Sequence, residues 1–219
     1  MASMNIFPKA ICIIGGDGTG KTAHAKEIIN EILQKGKKCS YAWFGEPYFF
    51  SYPFMFICNR LGYTVNHKLT NGIECQEHQY YRNKALALIW PWIQLADLLI
   101  IVLLKVYVPV WQHKIVVCDR FVHDTLVEVM TDINDKKLIN KTVGKLFLSL
   151  KPSFAFVVRL DASSQTAYSR KTDVPKISFL SLRKENYDNV AKEMKIPTIN
   201  TESAFELVHQ SIMKRVSQQ

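Results

Sequence analysis

The chain lacks a disulfide frame. Its five cysteines (Cys12, Cys39, Cys58, Cys75 and Cys118) are odd in number and none forms a C-x-x-C pair, which argues against a paired-cysteine scaffold or a zinc site. Cys12 and Cys118 lie inside apolar runs that read as buried strands, so reduced structural thiols and a cytoplasmic protein are expected. The chain also lacks an arginine-rich run or a recognisable nucleic-acid-binding module. Its net charge of +9 comes from scattered basic residues. That balance suits an ordinary basic surface or attraction of small polyanions such as nucleotides, and no nucleic-acid partner is expected. The opening MASMNIFPKA has no long apolar core, so no signal peptide is expected there. Internal repeats, low-complexity tracts and obvious linkers are missing as well. The 219 residues therefore read as one domain, with chain enough to bury a core.

One apolar stretch is long, running from Ala85 to Trp111. A membrane-spanning helix needs about 20 apolar residues. Here Pro91, Gln94, Asp97, Lys105 and Pro109 interrupt the run, and a charge near its middle is costly in lipid. The expectation is core helix, partly at a subunit interface, without membrane contact. Pro91 suggests two helices, Glu77–Trp90 and Trp92–Val106.

Elsewhere short apolar runs alternate with helical spacing. Strands are expected at Ala10–Ile14, Cys39–Phe44, Lys114–Cys118, Phe154–Leu160 and Thr198–Asn200. Helices are expected at Lys21–Gln34, Asp124–Met130, Lys141–Leu150, Ala162–Lys171, within Lys176–Lys195 and at Ser203–Val216. This alternation predicts an α/β protein with a parallel five-stranded sheet between helical layers. Residues 48–75 read as an irregular insert.

Gly15-Gly16-Asp17-Gly18-Thr19-Gly20-Lys21-Thr22 fits the phosphate-loop pattern G-x-x-x-x-G-K-[ST]. Glycines let main-chain N–H groups approach phosphate oxygens, and the following helix presents its positive end. Lys21 is placed to reach the β- and γ-phosphates of ATP, and the Thr22 hydroxyl to ligate Mg²⁺. Asp119-Arg120 ends the third strand, where metal and phosphates lie in such sheets. Asp119 is a candidate for the magnesium's water shell and Arg120 for clamping a phosphate; a plain strand-end salt bridge is the simpler alternative. Glu46, after the second strand, is a candidate for orienting an acceptor, or merely a helix-capping acid.

In this order the anchors resemble thymidylate kinase and its relatives among the nucleoside monophosphate kinases. The matching residues are G-x-D-G-x-G-K-T with Asp17, Gly45-Glu46-Pro47, Asp119-Arg120-Phe121, Leu160-Asp161 with Arg170 nine residues on, and Phe179, Leu182, Arg183 and Tyr187. The resemblance implies a three-layer α/β/α P-loop NTPase fold. It also implies Mg²⁺-dependent transfer of the ATP γ-phosphate to a nucleoside monophosphate with a dTMP-like acceptor, and a homodimer. It implies that Asp17 faces the acceptor, that Arg170 and Lys171 close from a lid at about 168–180, with Lys176 in reserve, and that Asn200 lies on the adenine side. The P-loop has Gly18 where some relatives carry an arginine, and Gly45 and Asp124 also depart from the pattern. Arg60, Arg82 or Lys84 are then candidate replacement cations, and Phe49, Phe50 or Tyr81 candidate stacking partners for a base. A kinase of nucleosides or other small molecules, and a nucleotide-binding protein with little turnover, stay open beside the leading reading.

Overall fold

Every second residue of β1 (Ala10–Gly15) faces one helical layer and the residues between face the other. Ala10, Cys12 and Ile14 join a core with Val116, Cys118, Ala155 and Val157; Ile11 and Ile13 join a second with Val117, Val158 and Leu160. A strand buried on both faces needs this continuous apolar run, because a parallel sheet is covered on each side. The computed structural model describes residues 7–45, 49–68, 74–170 and 177–218.

The main sheet contains β1, β2 (Cys39–Trp43), β5 (Ile115–Asp119), β6 (Ala155–Asp161) and β7 (Thr198–Asn200). All are parallel, in the order β2-β5-β1-β6-β7. The second core is closed by α1 (Lys21–Gln34), through Ala25, Ile28 and Ile32, and by α9 (Phe205–Val216), through Val208, Ile212 and Val216. The first lies under α3 (Lys84–Val102), α5 (Val122–Asp132), α6 (Thr142–Ser149) and α8 (Ile177–Glu193). Cys12 and Cys118 are register partners in adjacent strands; both are buried and free, and burial holds the Cys12 thiol well above its ordinary pKa.

Two expectations change. Residues 48–75 are not irregular where described: they hold α2 (Ser51–Arg60) and the antiparallel hairpin of β3 (Thr64–Lys68) with β4 (Glu74–His78). Pro91 does not divide the apolar run either, and α3 passes through it unbroken. A proline there removes one main-chain hydrogen bond and crowds the carbonyl four residues back, together costing about 3 kcal/mol. Full or near-full burial of Trp90, Leu95, Leu98, Ile101 and Val102 along the same helix offsets it, at roughly 1.5–3 kcal/mol per large side chain. Pro109 is handled differently. A π-helical turn at Leu103–Tyr107 widens the helix just where the proline ring would meet the Lys105 carbonyl, and α4 (Val108–Trp111) follows.

The Lys84–Trp111 stretch is long and apolar enough to span a membrane by length and composition alone. Two of its charges, however, are bonded into the protein. Asp97 is fully buried and accepts hydrogen bonds from the Phe50 and Ser51 N–H groups (both 2.9 Å) and the Ser51 hydroxyl (2.5 Å). It caps α2 from a neighbouring helix. Lys105 donates to the Trp43 carbonyl at 2.7 Å and ties the far end of the run to β2.

Candidate active site

The sheet order reverses between β1 and β5, so the crevice beyond their carboxyl ends is the ligand position of an open α/β sheet. Two backbone features shape it. Gly15 has φ 142° and Gly18 φ 80°. A Cβ on Gly15 would stand 2.2 Å from the Leu160 carbonyl oxygen, and one on Gly18 2.4 Å from that of Ala167. The loop can lie against β6 and α7 (Ser164–Ser169) only without side chains at these points. An arginine at position 18 is thus excluded by packing. Across the crevice Arg120 is in the left-handed region at φ 66°, its N–H donating to the Ile13 carbonyl at 3.0 Å. Left-handed backbone costs a residue with a Cβ about 1–2 kcal/mol. Here it turns the chain sharply after Asp119 and aims the guanidinium at the loop.

Asp17, Gly18, Gly20, Lys21, Thr22, Asp119, Arg120 and Arg170 together line a cavity of about 470 Å³. Lys21 folds back to donate to the Gly16 carbonyl at 2.6 Å, which also accepts from the Thr19 hydroxyl at 2.8 Å. Burial, then Arg120, lower the Lys21 pKa to about 8. The Thr22 hydroxyl donates to the Asp119 carboxylate at 2.5 Å, and Tyr41 donates to the same oxygen at 2.9 Å. A hydroxyl and a carboxylate side by side are hard oxygen ligands. Such oxygens are the kind of ligand Mg²⁺ takes, an ion that keeps waters and takes substrate phosphates as its other ligands.

The remaining expected residues are placed as follows. Gly15 and Gly16 begin the loop, and the Gly15 N–H donates to Asp124 at 3.1 Å. Arg170 lines the phosphate cavity with its guanidinium bonded to the Thr201 carbonyl at 3.0 Å. Asn200 caps the following turn by accepting from the Glu202 N–H at 2.7 Å and does not line the cavity. Arg82 is exposed, donates to the Gly62 carbonyl at 3.1 Å and lies near the Tyr63 ring; Phe49 is exposed just before α2. Neither borders this cavity or the one described next. Glu46, Lys171 and Lys176 lie outside the described residues.

A second cavity, of about 180 Å³, opens beside the first between the residues after β2, α2, the β4 strand, α3, α5 and α8. Phe44 and Trp90 give it aromatic surfaces; Gln94, Thr125, Glu128, Asp132 and Arg183 give it polar ones. The boundary between the cavities is a cluster of four charges. Arg120 bonds both Asp17 and, at 3.4 Å, Glu128. Arg183 bonds Asp17 at 3.1 Å and reaches Glu128 at 3.9 Å.

Behind the loop sits Asp124, which is fully buried. It accepts from the N–H groups of Gly15 (3.1 Å) and Phe121 (2.7 Å) and from the Tyr187 hydroxyl (2.7 Å). Burial raises its pKa, opposed by Lys21 and Arg120. One carboxylate thus joins the P-loop, the start of α5 and α8. Its signal was an acid in the first turn of a helix. Arg183 and Tyr187, four apart on α8, share one face.

The pH dependence follows from Lys21. A protonated lysine is what holds an anion such as phosphate. Affinity of the loop for a phosphate-bearing ligand should be flat below pH 8 and weaken by up to about tenfold per unit above it. Calorimetric titration with pyrophosphate across pH 6–10 checks this; an unchanged affinity at pH 9.5 would remove Lys21 from the grip.

No family profile matches the chain, and no curated protein matches it in sequence. Solved structures do match. Deoxyadenosine kinase from M. mycoides, solved with bound dCTP, is 20% identical, with a TM-score of 0.51, over 96% of this chain and 100% of that one. Thymidylate kinase from Ehrlichia chaffeensis is 15% identical, with a TM-score of 0.52, over 94% of this chain and 97% of that one. Likeness at these identities shows the three-layer P-loop fold, and the chemistry has to be argued from the site.

Proposed function

We propose that the chain is a phosphotransferase that uses Mg²⁺ and ATP and acts on a nucleoside or nucleoside monophosphate. The observation that carries this is the pairing of two cavities: a glycine-walled loop with Lys21, Thr22 and Asp119 on one side, a polar and aromatic pocket on the other, and charged groups between them. Main-chain N–H groups of the loop and Lys21 bind the triphosphate. Thr22 and Asp119 would hold Mg²⁺, which supplies charge neutralisation at the β- and γ-phosphates. Arg120, already turned toward the loop, stabilises charge on the transferring group. Arg170 holds the nucleotide's outer side. Positioning and electrostatics do most of the work in this chemistry.

Asp17 beside Arg120 supports the monophosphate form of the reading, with a dTMP-like acceptor. The uncharged polar and aromatic lining from Phe44, Trp90, Gln94 and Thr125 is compatible with the free-nucleoside form as well. Incubation with γ-labelled ATP and a pool of nucleosides and nucleoside monophosphates should yield labelled product. Label found only in inorganic phosphate, at the rate of the protein-free blank, would reject the reading.

A homodimer through α3 belongs to the same proposal. Ala85, Ile89, Trp92, Ala96, Leu99 and Leu103 recur at alternating steps of four and three, the spacing of a helix–helix seam. Ile89, Trp92, Leu99 and Leu103 are each about half exposed. A second copy of the helix covers such a stripe with its own. Leu99→Glu should convert a dimer to a monomer in light scattering with its Tm unchanged within a few degrees; an identical mass for both proteins would exclude this face.

A further inference from the structure

Asp119 is 1% exposed, and its two side-chain hydrogen bonds fall on one oxygen. The Thr22 hydroxyl donates to Oδ2 at 2.5 Å, and the Tyr41 hydroxyl donates to the same atom at 2.9 Å. A carboxylate oxygen offers two lone pairs, so these two donors fill Oδ2. Among the described residues no donor bonds Oδ1. Thr22 gives its proton to Asp119 and keeps its own oxygen lone pairs for a metal.

Tyr41 reaches this point because of the sheet register. In β2, the edge strand, Tyr41 pairs with Val117 and Trp43 with Asp119. Register partners share a face, as do residues two apart on a strand. All four therefore project to the side that α1 covers, where Val117 joins the second core. The Tyr41 side chain crosses diagonally to a residue two further along β5. Packing does not account for the bond. Tyr41 is 46% exposed and is part of neither core, yet its hydroxyl meets a buried acid. A phenol keeps its proton at neutral pH and so serves as the donor. The terminal torsion of an aspartate is soft and roughly two-fold, so one hydrogen bond lets the carboxylate turn and exchange its oxygens. Two donors from separate elements, α1 and β2, hold Oδ2 in place and leave Oδ1 with its lone pairs to offer.

We propose that Tyr41 is a positioning residue for the metal site: by holding Oδ2 it presents Oδ1 of Asp119 to Mg²⁺ or to a water of its shell. This rests on the phosphotransferase reading above, in which Thr22 and Asp119 hold the ion. The hydrogen-bond partners of a metal-binding carboxylate fix its orientation, and losing one typically costs about 10–100-fold in metal affinity.

The test is calorimetric titration of the full-length protein with ATP, once with Mg²⁺ and once with EDTA, in the wild type and in Tyr41→Phe. The ratio of the two dissociation constants is the gain from the metal. That gain should fall about tenfold or more in Tyr41→Phe, with the affinity in EDTA and the Tm unchanged. A merely structural role would move the EDTA affinity or the Tm and leave the ratio alone. An unchanged ratio, equal losses with and without metal included, overturns the inference and leaves the phosphotransferase reading standing. A wild-type protein that gains nothing from Mg²⁺ overturns both. Titration of Mn²⁺ into the ATP complex, followed by electron paramagnetic resonance, repeats the comparison on the ion itself. Weaker Mn²⁺ binding by the variant is expected, and equal binding would remove Tyr41 from the metal site.

Discussion

Lys21→Ala is expected to lose phosphoryl transfer by roughly 10²–10³-fold while keeping its fold, since removing one preorganised charge or donor at the transferring group commonly costs that much. The side chain is 6% exposed and, among the described residues, hydrogen-bonds inward to Gly16. Its lowered pKa says that burial disfavours the ammonium in the resting protein. The resting loop therefore does not need Lys21 for stability, and the Tm of the variant should be unchanged or higher. Transfer within a few-fold of wild type would rule the scheme out.

Asp97→Ala should cost as much stability as truncating one of the large core side chains of α3. Three donors from residues 50 and 51 converge on that carboxylate, and at about 1–3 kcal/mol for each donor left unpaired the loss is about 3 kcal/mol or more. For a chain of this size that is roughly 6–12 °C in Tm. The effect should reach the acceptor cavity. Residue 97 fixes the start of α2, and Phe54 of α2 stacks on Trp90 at 5.3 Å, a wall of that cavity. The acceptor KM should rise while ATP affinity holds. Thermal unfolding with paired KM measurements checks both parts; a Tm within 1–2 °C of wild type would mean that α2 is held by its apolar contacts alone.

Much of the phosphate side could be read in the chain before any coordinates. The run Ala10–Ile14, the glycines after it and the helical spacing from Lys21 are local signals, and local signals are what a sequence displays. The residues that the fold gathers from afar were harder to see. Asp97 reads as a stray charge in an apolar run, yet it caps a helix 46 residues earlier in the chain. Asp124 reads as a departure from a pattern, yet it reaches Gly15 across 109 residues. Arg82 has the right charge near the right place, but the hairpin preceding it carries it to the surface, against Gly62. Pro91 signalled a break that the burial around it overrides. The acceptor cavity is lined from six stretches of chain at once, so no short motif announces it.

The central claim is that the Gly15–Thr22 loop grips a triphosphate tail. Calorimetric titration of the protein with ATP, ADP and AMP, each with Mg²⁺, tests it most directly. Tightest binding is expected for ATP, with AMP weaker by at least about 100-fold because it lacks the phosphates that Lys21 and Mg²⁺ engage. Equal affinity for ATP and AMP, or no heat with any of the three, would contradict it.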